Sequence, residues 1–264
     1  MVKVGRPPQD PARQLERAHR ILDAAAELIL RWGYDKTTVD DVARQAAVAK
    51  GTIYLHWRTR DALFAALLRR ERVELLEEVR RAAPETLRDL IAGLAGAVLR
   101  RPLMKALLLG DSEVLGKLNR QKRESPTTPA LTTALDGYLA TLAAHGVLRG
   151  DLAPTERLTV VGSVLYGFLM TQGTLPEPLR TPDDRLVELI ADTVDRTLGM
   201  GTPADAGPGV DTKITSATEA TSDAGGTGDT GGMVARATRD YLATVEGVAR
   251  AKLALSLGLE ERVT

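Results

Sequence analysis

Residues 37–63 read TTVDDVARQAAVAKGTIYLHWRTRDAL, and their spacing predicts two short helices, a tight turn and the start of a third helix. Thr38 followed by Asp41 has capping-box spacing: the hydroxyl can accept from the Asp41 N–H while the carboxylate answers the orphan donor at the helix start. Val39, Val42, Ala43 and Ala46 then fall at i, i+3, i+4 and i+7, the positions that face a core. Ala47-Val48-Ala49 breaks that pattern before Lys50-Gly51-Thr52 opens a second helix, which is helix-turn-helix spacing.

The second helix, Gly51 to Trp57, is too short to be stable alone, so burial of one side must hold it. Ile53 and Trp57, four apart, form that side and leave Thr52, Tyr54 and His56 outside. Lys50, Gly51 and Thr52 bring backbone N–H groups, a small residue that allows close approach and a hydroxyl to one helix start, which suits phosphate oxygens or base edges. Tyr54 and His56 add donors for phosphates. Helix-turn-helix geometry also occurs as plain packing, with ordinary surface polars on its outer side.

Residues 15–68 resemble the DNA-binding domain of the TetR repressor family. The resemblance is carried by Ile21-Leu22-Asp23-Ala24-Ala25-Ala26-Glu27-Leu28, by Gly33-Tyr34, by Thr37-Thr38-Val39-Asp40-Asp41-Val42-Ala43, and by Lys50-Gly51-Thr52-Ile53-Tyr54-Leu55-His56-Trp57 leading into Arg60-Asp61-Ala62-Leu63. It implies an all-α protein: an N-terminal three-helix helix-turn-helix DNA-binding domain joined to a larger helical domain for ligand binding and dimerisation. By position, Thr38, Lys50, Gly51, Thr52, Tyr54 and His56 are the implied DNA contacts, and Arg60 is the implied phosphate-binding residue that opens the fourth helix. Two departures stand out. Ala49 replaces the hydroxyl residue often found before the lysine, removing a cap worth about 0.5–2 kcal/mol. Leu55 stands where a polar or aromatic residue is frequent, which suits a thymine methyl group.

The 264-residue chain, 44% hydrophobic, is long enough for a sizeable core plus a small domain. Formal neutrality conceals an uneven distribution. Residues 1–60 hold eleven Lys and Arg (positions 3, 6, 13, 17, 20, 31, 36, 44, 50, 58 and 60) against seven Asp and Glu (10, 16, 23, 27, 35, 40 and 41), a local excess of 11 − 7 = +4. The rest therefore carries −4, which fits a regulatory domain with no nucleic-acid task. The absence of cysteine removes disulfides and thiolate metal sites and is compatible with a reducing cytoplasm. The N-terminal residues do not read as a signal peptide, and no apolar run reaches the length of a membrane span. A cytoplasmic location with no membrane partner is the expectation.

The opening MVKVGRPPQDPA is rich in proline and charge and is read as a mobile basic arm. Gly5-Arg6-Pro7 resembles the core of a minor-groove-binding AT-hook, with Lys3 adding charge, which makes Lys3 and Arg6 candidate DNA contacts; a frayed terminus reads the same way. Next comes an apolar stripe of Ile21, Ala25, Leu28, Ile29 and Trp32. From Thr59 onward starts are marked at Thr59, Pro84, Pro102, Thr128-Pro129, Pro154 and Thr181-Pro182-Asp183-Asp184, giving nine helices to residue 200 and no sheet. Stops are read at Gly146 and Gly199, each as a left-handed glycine cap. In the fourth helix Phe64, Leu67, Leu68, Leu75 and Val79 form the stripe that ties the two domains together. The layout that follows is a basic arm 1–14, a DNA-binding domain 15–60, a helical regulatory and dimerisation domain 61–200, a linker 201–233 and a C-terminal helix 234–264.

The family resemblance further implies a homodimer on double-stranded, palindromic operator DNA, because one short recognition helix makes too few contacts and a two-fold pair multiplies affinity. The dimer surface is expected on Thr155–Gly173, with Gly162, Ser163 and Gly167 allowing close approach beside Leu158, Leu165 and Leu169, and on Pro182–Leu198, with Leu186, Leu189, Ile190 and Val194; the subunit's own core is the alternative for each. An unidentified small-molecule effector is implied among Met104, Leu107, Leu108, Tyr138, Leu142, Tyr166, Phe168 and Met170, with Asp111, Glu113, His145 and Gln172 as polar anchors. The expected outcome is a ligand-responsive repressor that releases its operator when the effector binds. A helical adaptor acting through the C-terminal helix is the alternative.

Residues 201–233 lose apolar periodicity and read as linker. Gly226-Thr227-Gly228-Asp229-Thr230-Gly231 satisfies the dinucleotide-binding pattern by letter, yet no strand precedes it. Val234–Leu257 recovers helical spacing through Tyr241, Leu242, Val245, Val248, Ala249 and Leu253. An enzyme is not expected: His19, His56 and His145 are scattered, no metal spacing, nucleophile elbow or phosphate loop occurs, and Asp40-Asp41 and Asp183-Asp184 sit in first helical turns where negative charge complements the dipole. No cofactor or metal is expected.

Overall fold

The computed structural model describes residues 10–109, 127–200 and 227–258. These are helical, in the order α1 (Pro11–Trp32), α2 (Val39–Gln45), α3 (Lys50–His56), α4 (Arg60–Arg81), α5 (Leu87–Leu99), α6 (Pro102–Leu109), α7 (Thr127–Ala144), α8 (Pro154–Thr174), a short 3-10 turn (Glu177–Leu179), α9 (Asp183–Leu198) and α10 (Thr227–Ser256). Nine α-helices thus precede residue 200 among the described residues, and no strand occurs among them; the nearest approach is an isolated antiparallel bridge between Leu148 and Gly199. None of the helices there is long and apolar enough to cross a membrane.

The chain divides into two compact units. One comprises residues 1–81, 96–132 and 242–264, the other residues 82–95 and 133–241. The first unit is built around the apolar stripe of α1. Ile21, Leu22, Ala25, Leu28 and Ile29 are buried, as are Val42 of α2, Ile53 of α3 and Leu63, Phe64 and Leu67 of α4. Burying each large side chain contributes about 1.5–3 kcal/mol relative to leaving it in water. Trp32, expected in the stripe, is 41% exposed instead, since it is the last residue of α1 and the helix stops at Gly33 with φ +78°. Leu68 is only partly buried. α6 packs against both α1 and α4 within this unit.

Several starts and stops differ from the sequence expectation, each for a local reason. α1 begins at Pro11 because Asp10 caps it, its carboxylate accepting from the Ala12 N–H at 3.0 Å, so the helix reaches into the stretch 1–14 expected as an arm. α5 begins at Leu87 rather than at Pro84, because Thr86 and Asp89 form a capping box: Thr86 N–H donates to Asp89 at 3.2 Å and Asp89 N–H to the Thr86 hydroxyl at 3.1 Å. Gly146 is left-handed, with φ +70°, as expected; Gly199 is not, with φ −66°. Glycine is needed there for space: a Cβ at Gly199 would lie 2.6 Å from the Asp195 carbonyl oxygen. α10 begins at Thr227, inside the stretch expected as linker, so Thr227–Gly231 of the dinucleotide-like pattern are helical.

In the second unit α8 and α9 pack along each other, and Leu169, Leu186, Ile190 and Val194 are buried in the chain's own core. Those four are therefore not available to a partner. The opposite side of α8 presents Gly162, Ser163, Tyr166 and Gly167 to solvent. Arg88 of α5 chelates Asp192 of α9, with Nε at 2.9 Å and Nη2 at 2.6 Å. Tyr138 of α7 stacks on Tyr241 of α10 with ring centroids 5.0 Å apart, and its hydroxyl lies 2.9 Å from that of Thr238.

Candidate nucleic-acid interface

The helix-turn-helix is assembled from two short helices and a turn that pays in backbone strain. α2 is closed by its capping box: the Asp41 N–H donates to the Thr38 hydroxyl at 3.2 Å, while Thr38 donates through its N–H and its hydroxyl to the Asp41 carboxylate at 3.2 and 2.6 Å. These bonds hold the Asp41 carboxyl below the ordinary carboxylate range. The turn is made by Ala47 at φ +53°, a left-handed conformation that costs a non-glycine residue on the order of 1 kcal/mol. Val48 N–H then donates back to the Ala43 carbonyl at 2.9 Å.

α3 starts without a side-chain cap, since Ala49 stands at its N-cap. Only the Thr52 N–H turns back, to the Ala49 carbonyl at 2.8 Å, and the first N–H groups of such a helix have no intrahelical acceptor. Ile53 and Trp57 are buried. The other face shows Tyr54 at 44% and Leu55 at 77% exposure, large apolar surface that a soluble helix of this length would not display for its own stability. Lys50 and Gly51 are exposed and Thr52 is half-buried. A Cβ at Gly51 would meet nothing within 4 Å, so the fold itself does not require glycine there.

The expected contact residues do not all share one fate. Thr38, Lys50, Gly51, Thr52 and Tyr54 lie at or beside the exposed side of α2 and α3. Lys50 is engaged internally, its Nζ 2.6 Å from Asp40 Oδ2, and that bond raises its pKa. His56 is half-buried, packed 5.2 Å from the Trp57 ring; burial, and then the charge of Arg17, lower its pKa, so it offers a neutral ring. Arg60, expected at a phosphate, is spent inside the domain. Its Nε donates to the Thr37 carbonyl at 2.9 Å, its Nη2 donates to the Tyr34 carbonyl, and its guanidinium lies 3.9 Å above the Tyr34 ring. It is a positioning residue that ties the loop before α2 to the start of α4. Lys3 and Arg6 lie outside the described residues.

Sequence reasoning missed the scaffold around these groups. Thr37 is fully buried and its hydroxyl donates to the Gly33 carbonyl at 2.8 Å. The Tyr34 hydroxyl donates to Asp61, and burial followed by that bond raises its pKa. Arg70 of α4, 7% exposed, donates to Asp23 at 2.7 Å and to the His19 carbonyl at 3.2 Å. Arg44 and Arg58 are exposed cations on α2 and in the turn after α3. Their signal was present in the local charge excess, but no spacing rule singled them out.

Residues 21–67 match the model of the family described as "Bacterial regulatory proteins, tetR family". Through this segment the chain resembles the DNA-binding domain of TetR-family regulators. Over 155 residues, 57% of this chain and 78% of the relative, it is 24% identical to a fatty acid metabolism regulator protein of Bacillus subtilis. Over 184 residues, 69% of this chain and 92% of the relative, it is 27% identical to an HTH-type transcriptional repressor of Mycobacterium tuberculosis. Among solved structures it is similar to SmeT in complex with triclosan, with a TM-score of 0.57 at 19% identity over 76% of this chain and all of that one, covered to 100%. It is also similar to FadR from Bacillus subtilis in complex with stearoyl-CoA, with a TM-score of 0.51 at 21% identity over 67% of this chain and 96% of that one. This TetR-family likeness establishes the all-α fold.

The residues expected at an effector are divided. Met104 and Leu107 are buried and Leu108 is half-buried on α6 of the first unit. In the second unit Tyr166 is 44% exposed, His145 is exposed, and Phe168 and Met170 are half-buried. Asp111 and Glu113 lie outside the described residues. Gln172 is engaged within its own unit, accepting from the Thr181 N–H at 2.9 Å.

Proposed function

We propose that the protein is a transcriptional repressor that binds palindromic operator DNA as a homodimer and releases it when an apolar small molecule binds its helical region. The observation that carries the reading is the exposed Tyr54–Leu55 pair on a short helix whose other side is locked by Ile53 and Trp57. The match of residues 21–67 to that family's model and the two regulatory relatives support it. In this reading Lys50, Thr52 and Tyr54 meet phosphates and base edges, and Leu55 meets a thymine methyl. The exposed small-residue side of α8 is the proposed pairing surface.

Release follows from differential affinity for two states. α6 packs on α1 and α4, so an apolar effector that displaces Met104, Leu107 or Leu108 moves the helix on which the reading domain is built. The similarity to a fatty acid metabolism regulator and to a structure in complex with stearoyl-CoA makes long-chain acyl compounds the first effectors to try. The protein acts where its operator is, in the cytoplasm of a bacterium. A catalytic role is not proposed: Asp40 is paired with Lys50 and Asp41 is committed to the α2 cap. Nor is the adaptor reading favoured, since Leu242, Val245 and Ala249 of α10 are already buried.

The test is a fluorescence-anisotropy titration against the DNA upstream of the protein's own gene and an unrelated duplex, at two salt concentrations, with Tyr54→Ala alongside. Tight, salt-dependent binding that prefers the upstream duplex, is lost in the variant and is reversed by a long-chain acyl-CoA supports the proposal. Equal, weak binding to both duplexes and to every duplex in a random-sequence selection overturns it.

A further inference from the structure

We propose that the C-terminal half of α10 is an intrachain brace that docks on α4 in one register and holds the DNA-reading unit ready for its operator. Leu242, Val245, Glu246 and Ala249 fall at i, i+3, i+4 and i+7 and are all buried, between 1 and 5% exposed, so one side of α10 is fully covered. Three apolar residues are what a docked helix needs. The fourth is a carboxylate, and it carries the argument.

A buried carboxylate is tolerated only where it is paired, and removing its partner is strongly unfavourable. Glu246 has two cations. Arg80 of α4 places Nε 2.6 Å from Oε2, and Arg250, one turn along α10, places Nη2 2.7 Å from Oε1. Arg250 also reaches Glu77 of α4 at 2.8 Å. Charges therefore alternate Arg80, Glu246, Arg250, Glu77 in a chain laced between the two helices. A shift of α10 by one turn would keep an apolar side against α4 but bury Glu246 away from Arg80, so the network fixes register where apolar contact alone would not. Nearer the reading end of α4, Arg69 donates to the Ser256 hydroxyl.

The end of the brace lies near the recognition helix. Just beyond α10, Leu257 and Gly258 line a cavity of about 190 Å3 together with Pro11, Gln14 and Ala18 of α1 and with His56 at the end of α3. α10 is thus bonded to α4, and the residues just beyond it face a cavity shared with the first turns of α1 and the last residue of α3, inside one compact unit. Holding these elements in place before DNA arrives reduces the ordering cost paid on binding.

The test is amide hydrogen exchange on the full-length chain, read for Leu242–Ser256 and Val73–Arg81, with DNA affinity measured in parallel. Glu246→Arg is expected to abolish protection of the first segment, lower that of the second and weaken binding to the upstream duplex by about tenfold, within the range of ordinary coupling. The charge swap Arg80→Glu with Glu246→Arg restores both. If Glu246→Arg loses protection throughout α1–α4, Arg250→Ala is read instead: it leaves Glu246 paired with Arg80 and gives the same pattern in smaller measure. Unchanged protection of Val73–Arg81 in a variant whose α10 exchanges freely overturns the brace. So does loss of α10 protection in the parent protein on dilution, which would place a second copy's helix there. The affinity readout alone rests on the operator-binding reading: a parent protein that binds no DNA overturns that reading, while the exchange data still decide the docking.

Discussion

α2 and α3 are both seven residues long and pack on the same core, yet their starts are finished in opposite ways. At α2, Thr38 and Asp41 satisfy one another's donors, and the helix needs nothing from outside. At α3, Ala49 supplies no cap, and the exposed residues that follow are a lysine, a glycine and a large aromatic. The first helix is capped by its own residues, and the second is left open at its start. A reading helix gains from this, because every backbone donor left open by the fold is available to a phosphate.

The comparison breaks most severely at the residue that anchors the entrance to α2. Arg60→Ala removes two bonds to backbone carbonyls and a stacked cation, and is expected to lower the unfolding free energy by about 2–3 kcal/mol in urea denaturation. Arg60→Lys does not rescue it, since an ammonium cannot make the forked contact. Tyr54→Ala acts on α3 alone. It is expected to cost roughly tenfold to hundredfold in affinity for the preferred duplex while the midpoint of thermal unfolding stays put, as suits an exposed side chain that contacts a partner.

Thr38→Ala opens the closed start and is expected to destabilise the domain by about 1 kcal/mol. Ala49→Ser, in the opposite direction, gives α3 the cap it lacks and is expected to stabilise by about 0.5 kcal/mol; equal stability would mean that the α3 donors are already satisfied. The smallest effect is on pH. The Asp41 carboxyl is held below its ordinary value by the Thr38 hydroxyl and N–H, so its contribution is present above the unfolded pKa and disappears as pH falls through the lower, folded one. The stability difference between the parent protein and Thr38→Ala is therefore expected to shrink only in acid, below the usual carboxylate range, in denaturation curves taken across pH.

What the sequence made legible is what neighbouring residues decide. The Thr38–Asp41 cap, the Ile53–Trp57 side and the absence of a cap at Ala49 each depend on contacts within a turn or two. Thr86 and Asp89 repeat the same spacing, and the start of α5 could have been read from them in place of Pro84. The internal bonds of Arg60 were hidden for a physical reason: its acceptors, the carbonyls of Thr37 and Tyr34, lie 23 and 26 residues away. A cation in a basic region looks like a phosphate ligand until the fold supplies it with an oxygen. The docking of α10 was equally hidden, because Arg250 finds Glu77 across 173 residues. Helical spacing marked which side of α10 would be buried and had no means of naming what would cover it.

The Lys50–Asp40 pair changes how the interface trades ions. An isolated lysine approaching a phosphate displaces a condensed counterion and adds to the salt dependence of binding. Lys50 arrives already neutralised, and to reach a phosphate it must leave Asp40 behind as a bare carboxylate beside the duplex, which recruits a cation from solution. The ion released by the DNA is offset by one taken up by the protein, so the slope of log affinity against log salt will fall short of the number of phosphates touched. Asp40→Asn would restore that missing unit.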